Sequence, residues 1–324
     1  MNGLKKVLSQ IRANRIWLLM VLPGVLWFLV FSYLPMFGTV IAFKDYKIDG
    51  KGFLSSIMSS DWVGLENFKF LFQTNDAFII TRNTVLYNLV FIIVGLFLGV
   101  ALAIIFNSLL NKRGAKIYQT GMLFPHFLSW VVVSYFLFSF LSEDSGLMNN
   151  ILLAFGQDPI SWYNDPKYWP FILIMMNVWK GLGYGSIVYL AAIAGIDRTY
   201  YEAAMIDGAG KWQQIRHVTI PALTPLMVIL TILNVGKIFN SDFGLFYQLP
   251  RNSGPLYPVT DVIDTYVYRG LTSLGDMSMS AAAGFYQSIV GFILVLLTNY
   301  IVKKTKSRIW LILEKEARCF GRTA

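Results

Sequence analysis

The chain has 324 residues, 56% of them hydrophobic and only 14% charged, where soluble domains average roughly 25% charged. That imbalance excludes an ordinary soluble domain and fits a polytopic membrane protein, whose interfacial belts also account for nine Trp, seventeen Tyr and twenty-five Phe. A net charge of +9 raises the question of nucleic acid, and the single cysteine, Cys319, excludes an internal disulfide framework or a four-cysteine metal site.

A helix needs about 20 apolar residues to cross a bilayer. Six stretches reach that length: 16–34, 85–106, 119–140, 170–193, 220–240 and 281–302. The expected fold class is therefore all-α, with six transmembrane helices. The basic start would also suit a secretory signal, but the first apolar run leads into Pro35, Met36, Phe37 and Gly38 without a small-x-small cleavage site, so it reads as an uncleaved span. In the next loop, Trp62 to Phe68 is an amphipathic piece expected on the membrane surface. Gly95 and Gly99 in the second span, and Ala281 to Gly284 in the sixth, offer small faces for close packing. Gly181, Gly183 and Gly185 in the fourth serve either close packing or a bent or broken helix of the kind that lines transport pathways. In the 241–280 segment, residues 251–255 mark a turn and Val262 to Tyr268 a short helix.

Six is even, so both termini fall on one side. Seventeen Lys and Arg lie on that side, whereas eight, with 13 of the 18 acidic residues, are spread over the longer loops opposite. By the positive-inside rule the termini and the 199–221 loop are cytoplasmic. The basic excess is thus an orientation signal, and the nucleic-acid reading falls. The expected division is a cytoplasmic N-terminus (1–15), a transmembrane domain (16–302) carrying a cytoplasmic loop (197–221), and a cytoplasmic tail (303–324).

That loop, from Thr199 to Pro221, is a polar island between two apolar runs. Thr199 and Glu202 have capping-box spacing, so a short helix is expected from Thr199 through Ile206, broken at Asp207 and Gly208. Trp212, Ile215 and Val218 then share one face opposite Lys211, Gln214, Arg216 and His217, predicting a second short helix that ends before Pro221. Glu202-Ala203-Ala204, Asp207-Gly208-Ala209, Ile215 and Ile220-Pro221, in this place, resemble the cytoplasmic coupling loop of the membrane subunits of binding-protein-dependent, ATP-driven (ABC) importers. Asn234 to Phe239, Asp242 to Phe246, Tyr257 to Tyr266 and Ser280 to Gly284 resemble the permeases for larger carbohydrates, including the alginate-oligosaccharide importer. The resemblance runs from Leu22-Pro23-Gly24 to about Lys304 and does not extend to the residues beyond Ile309.

The resemblance implies a type I ABC importer permease fold and a transport subunit without enzymatic activity of its own. It implies no cofactor in this chain, with ATP and Mg bound by two separate ATPase subunits docked at the loop. It also implies a second homologous permease, an extracytoplasmic sugar-binding protein, surrounding membrane lipids, and the cytoplasmic (inner) membrane of a prokaryote. ATPase coupling would fall to Glu202, Ala203, Ala204, Asp207, Gly208, Ala209, Ile215 and Pro221. Consistently, no phosphate-binding Gly-x-x-x-x-Gly-Lys-Ser/Thr run occurs. A membrane-embedded transferase would need clustered carboxylates, a His pair or a nucleophile elbow, none of which is seen. A stand-alone secondary transporter or channel is the other alternative.

Lys180 and Lys237 are the two basic residues inside expected spans, each costing at least about 2.5 kcal/mol near the bilayer centre. Lys237 lies midway between Asn234 and Asn240 at helical spacing, near Thr231, which suggests one wall of a hydrated path. Its charge would favour a uronate; a neutral sugar would be met by Asn, Tyr and Trp. Lys180 is a pathway candidate too, or else it would pair with a carboxylate of a partner chain or snorkel to the boundary. Asn177, Trp179 and Tyr184 are further pathway candidates, although an aromatic in a span packs more often than it serves a sugar.

Overall fold

The computed structural model describes residues 13–69, 73–109 and 112–320. Most of the expected N-terminal segment 1–15, with Lys5, Lys6 and Arg12, lies outside the described residues, as do the last four residues of the tail. The chain separates into two compact units, one formed by residues up to 73 with 270–285 and the other by 74–269 with 286 onward.

In the smaller unit, α1 (Arg15–Phe28) runs through a π turn (Leu29–Tyr33) into a 3-10 stretch (Leu34–Phe43), giving a largely apolar stretch of 29 residues. None of the α1 side chains is buried within the chain, which is how a helix reads when lipid or another subunit supplies its surroundings. After it, β1 (Lys44–Asp45) pairs antiparallel with β2 (Asp61–Trp62) around α2 (Phe53–Ser59). The Asn67 amide donates to the Ala42 and Lys44 carbonyls, and the buried Lys44 ammonium donates to the Ile57 and Ser60 carbonyls. The amphipathic piece expected at Trp62 to Phe68 starts as a strand partner, and only Glu66–Phe68 coils, as one 3-10 turn.

The larger unit opens with α3 (Asn75–Ser108). The expected third span, 119–140, is not one helix but two, α4 (Lys112–Phe127) and α5 (Trp130–Leu141), bent by 96°. At 1.5 Å per residue they are about 24 and 18 Å long, each short of the ~30 Å hydrocarbon core. Pro125 withholds a backbone donor at the end of α4, and the Ser129 hydroxyl accepts from the Val132 amide to start α5. The unit continues with α6 (Leu147–Ala154), α7 (Trp169–Ala194), α8 (Arg198–Ile206), α9 (Lys211–Gln214), α10 (Ile220–Val235), α11 (Tyr257–Thr260) and α12 (Ile263–Arg269). The short helix expected at Val262 to Tyr268 is thus present as α12. Finally α13 (Met277–Phe320), whose residues up to 285 count with the smaller unit, carries the sixth span and continues past residue 302 as helix, so the boundary expected at 302/303 is not a break in the backbone.

Two apolar clusters hold this unit. One joins Tyr87 of α3, Leu137 of α5, Trp169 and Leu173 of α7 and Phe246; the other joins Val100 and Ala103 of α3, Tyr189 of α7 and Leu223 of α10. Trp169 is fully buried and its indole donates to the Trp162 carbonyl at 2.6 Å, so its polar edge is satisfied. Three of the four π turns among the described residues, Leu29–Tyr33, Ile215–Thr219 and Gly244–Gln248, end two residues before a proline (Pro35, Pro221 and Pro250). A proline ring collides with the carbonyl four residues back, and that carbonyl falls in the middle of each wide turn, where the π spacing makes room for it.

Candidate functional site

Between α3, α7 and α10 lies a cavity of about 340 Å³ whose lining includes Asn177, Gly181, Tyr184, Gly185, Thr231 and Asn234. Helix α7 is continuous through its glycines. A Cβ on Gly183 would stand 2.0 Å from the Met122 carbonyl oxygen, so this glycine lets the α4 backbone press onto α7; Gly181 and Gly185 have open space instead and face the cavity. Close packing is therefore the role of one glycine, room for the cavity the role of two, and the broken helix is not found. On the opposite wall Gly99 of α3 sits under the Tyr189 ring, where a Cβ would lie 3.2 Å away, while Gly95 lines the cavity.

Of the seven expected pathway residues, Asn177, Tyr184 and Asn234 are brought together here, with Thr231. The polar face expected across Asn234, Lys237 and Asn240 is not formed on one α-helix. Helix α10 ends at Val235, and the chain advances through i→i+3 turns in which the Lys237 amide donates to the Asn234 carbonyl and the Asn240 amide to that of Lys237. Gly236 begins this unwinding, packed so that a Cβ would meet the Val295 side chain at 3.3 Å. Lys237 and Asn240 are exposed and line no part of the cavity; the Asn240 side chain instead accepts from Gln287, beside Asp264. Trp179 is exposed and likewise outside the lining.

Lys180 finds a partner inside the chain. Its ammonium donates to the His126 carbonyl at 2.8 Å and lies 5.2 Å above the Trp130 ring. The acceptor is one of the last carbonyls of α4, where the helix dipole favours a cation. The His126 ring stacks on Tyr184 at 4.6 Å, and the Trp130 indole donates to Asp242 at 2.7 Å. The α4–α5 break is thus fastened by a lysine, three aromatic rings and a carboxylate. Reading the sequence for spans misses His126, Trp130 and Asp242; Pro125 followed by Ser129 inside an apolar run is the available signal. Among the described residues no three His, Cys, Asp or Glu come together as a metal site requires.

The loop between α7 and α10 has its own geometry. Helix α8 starts at Arg198, capped by the Asp197 carboxylate, which accepts from the Thr199 amide at 3.0 Å; the Thr199–Glu202 capping box is not formed, and Glu202 is exposed. Hydrogen bonds from Thr199 hold the Asp197 carboxyl below the usual carboxylate range. At the other end Gly208 takes φ +78°, its amide bonding to Met205 and that of Ala209 to Ala204, the paired closure of a Schellman motif. Gly208 is needed for its backbone, beyond any demand for a small surface. The second helix does not end before Pro221: α9 passes through the Ile215–Thr219 π turn into α10 as one run, and Pro221 is its second α10 residue. Tyr201 and Thr219 hydroxyls, 3.0 Å apart, tie α8 to that run. Ala203 and Asp207 are exposed, Ala204, Ala209 and Ile215 half-buried, and the loop presents Met205, Ile206 and Trp212 to the outside, Ile206 at 86% exposure.

Five helices long and apolar enough to span, plus one bent pair, define a multi-pass all-α membrane protein. Residues 92–307 match the family described as binding-protein-dependent transport system inner membrane component, and the chain belongs to that family. It is a transport component and not an enzyme, so the transferase alternative is set aside. Among its relatives are LplB of Bacillus subtilis, 36% identical over 89% of each chain, and the polygalacturonan/rhamnogalacturonan transport system permease protein YteP of the same organism, 36% identical over 93% of this chain and 91% of YteP. In solved structures it is similar to a chain of a bacterial ABC transporter involved in import of the acidic polysaccharide alginate, with TM-score 0.82 and 31% identity over 92% of this chain and 99% of that one. A second structure of such a transporter, in complex with a periplasmic protein carrying an alginate pentasaccharide, gives TM-score 0.81 and 32% identity over 92% of this chain and 97% of that one. These neighbours have the expected type I permease fold.

Proposed function

We propose that this chain forms half of the translocation pathway of an ATP-driven importer for an acidic oligosaccharide or polysaccharide, such as a uronate polymer. The observation that carries the reading is the alginate transporter likeness over nearly the whole chain at 31% identity; YteP, a permease named for polygalacturonan and rhamnogalacturonan, supports it. A second homologous permease would close the pathway, two ATPase subunits would bind ATP and Mg, and an extracytoplasmic binding protein would deliver the sugar, all in the inner membrane of a prokaryote with both termini and the α8–α9 loop in the cytoplasm. Coupling would run through α8, whose exposed Met205 and Ile206 offer an apolar edge to a cleft while the Gly208 turn fixes its angle. The sugar would pass Asn177, Tyr184, Thr231 and Asn234. One observation favours neutral cargo as the second reading: among the described residues no charged side chain lines that cavity.

The test is uptake into proteoliposomes holding the full complex, with ATP inside and ion gradients clamped. Oligogalacturonate or oligoalginate should accumulate only with ATP and with the binding protein present. Accumulation driven by an ion gradient without ATP would overturn the importer reading; accumulation of the carboxyl-reduced, neutral oligomers alone would overturn the acidic one.

A further inference from the structure

A second recess, of about 220 Å³, opens where α5 meets the segment before α11 and is lined by Ser134, Tyr135, Tyr247, Gln248, Arg251 and Asn252. Its backbone is unusual. Arg251 and Asn252, with φ of 54° and 51°, are the non-glycine residues of positive φ among those described. Asn enters this region readily, but a residue such as Arg does so at a cost, and sparsely populated backbone persists where the surroundings impose it, often at ligand clamps. The turn lays the Arg251 guanidinium 4.1 Å from the Phe138 ring centre and 5.5 Å from that of Tyr135.

Among the described residues the charge at this place lacks an acceptor. In the same segment Arg269 pairs with Asp261 while lying 4.0 Å over the Tyr257 ring. Arg82 donates to the Pro258 carbonyl at 2.9 Å and to Asn83. Arg251 is held by rings alike, yet among the described residues no carboxylate pairs with it, and it stays exposed. Behind it the Tyr163 ring packs on Phe138 at 5.4 Å, and the buried Tyr163 hydroxyl has no hydrogen-bond partner among the described residues. A planar guanidinium fork immobilised on aromatic faces, with its donors free, suits a carboxylate. The amides of Gln248 and Asn252 and the ring of Tyr247 suit the hydroxyls and apolar face of a pyranose.

We infer that this recess is a docking point for one carboxylate-bearing sugar ring of the cargo, with Arg251 gripping the carboxylate. The inference rests on the acidic-oligosaccharide reading above and extends it to a residue outside the cavity between α3, α7 and α10. The 241–269 segment is on the side assigned to the binding protein, so this contact would be met before the uncharged cavity, which resolves how a pathway with a neutral middle selects acidic cargo.

The experiment compares oligogalacturonate and oligoalginate with their carboxyl-reduced counterparts in the assembled complex, for wild type, Arg251→Gln, Arg251→Lys and Arg251→Gly. Losing a hydrogen-bonded charge contact should slow uptake of the acidic oligomers on the order of tenfold to a hundredfold in the Gln variant, leave the reduced oligomers unchanged, and be partly restored by Lys. Arg251→Gly relaxes the positive-φ backbone, so it should assemble at least as well as wild type and show the same selective loss. Equal loss for acidic and reduced sugars, or no loss, overturns the inference while leaving acidic import standing. A wild type that carries neither acidic oligomer fails at the earlier step, and the inference fails with it.

Discussion

Between Asp197 and Thr219 the structure is settled by neighbours in sequence: a carboxylate capping the amide two residues on, a glycine closing the helix before it, and a π turn placed two residues before a proline. Around the cavity it is settled by residues far apart in the chain, with Gly183 under the Met122 carbonyl and Lys180 on that of His126, 54 residues away. Both regions expose apolar side chains, but they set them in different surroundings. The loop exposes Ile206 and Trp212 among charges, whereas the helix crossing buries Tyr189, Leu223 and Ala103. A segment that keeps its own shape while setting uncovered apolar side chains among charges suits the docking proposed for it; a crossing with buried contacts between its helices holds itself together.

The largest expected effect tests the crossing. In Gly183→Val even the first added carbon would lie 2.0 Å from the Met122 carbonyl oxygen, a backbone atom that cannot swing aside. Overpacking of this kind costs about 1–3 kcal/mol and sometimes more, and here it must part α4 from α7. The variant should be recovered in much lower yield and elute as aggregate after detergent extraction. Gly181→Val, two residues away with open space around it, should purify like wild type and alter only transport. Equal behaviour of the two would show that the α4–α7 approach carries no special weight.

A middle-sized effect tests the loop. Gly208→Trp places a side chain on a backbone at φ +78° in an exposed turn, adding strain of about 1–2 kcal/mol in a helix that touches little else. Insertion and yield should be unchanged, while ATP hydrolysis stimulated by loaded binding protein should disappear. Retention of that stimulated hydrolysis would remove the docking role assigned to α8.

The same contrast explains what is legible in the sequence. Apolar stretches, the 199–221 loop and the α12 helix depend on composition and short spacing, and they can be read from the residues. The Thr199–Glu202 box misses by two residues because Asp197, a stronger acceptor, takes the cap first. Across longer distances reading falters. An apolar run shows hydrophobicity but not direction, so 119–140 looks like one span although Pro125 and Ser129 turn it by 96°. Spacing alone puts Lys237 on a helix face that Gly236 has already unwound. The need of Lys180 for a partner is plain from its place in an apolar run, but a backbone carbonyl at a helix end carries no side-chain signature, and the fold alone puts His126 beneath it.

The smallest expected effect asks whether the loop's local order is set by its cap. The Asp197 carboxyl is held below the usual range by the Thr199 amide and hydroxyl, so in acid the folded loop binds fewer protons than the unfolded one. The cap is therefore complete above the unfolded carboxylate value near 4 and is lost as pH falls through the lowered folded value. A spin label at the exposed Ile206 position should show constant mobility near neutrality and gain mobility below about pH 4. Glu202 and Asp207 are the other carboxylates of the loop and both are exposed, so the control is Asp197→Asn, whose amide oxygen still accepts from Thr199 but carries no titrating charge. That variant should keep the label's order across the acid range; if it loosens with pH as wild type does, the acid response belongs to another group and the cap is not what orders α8.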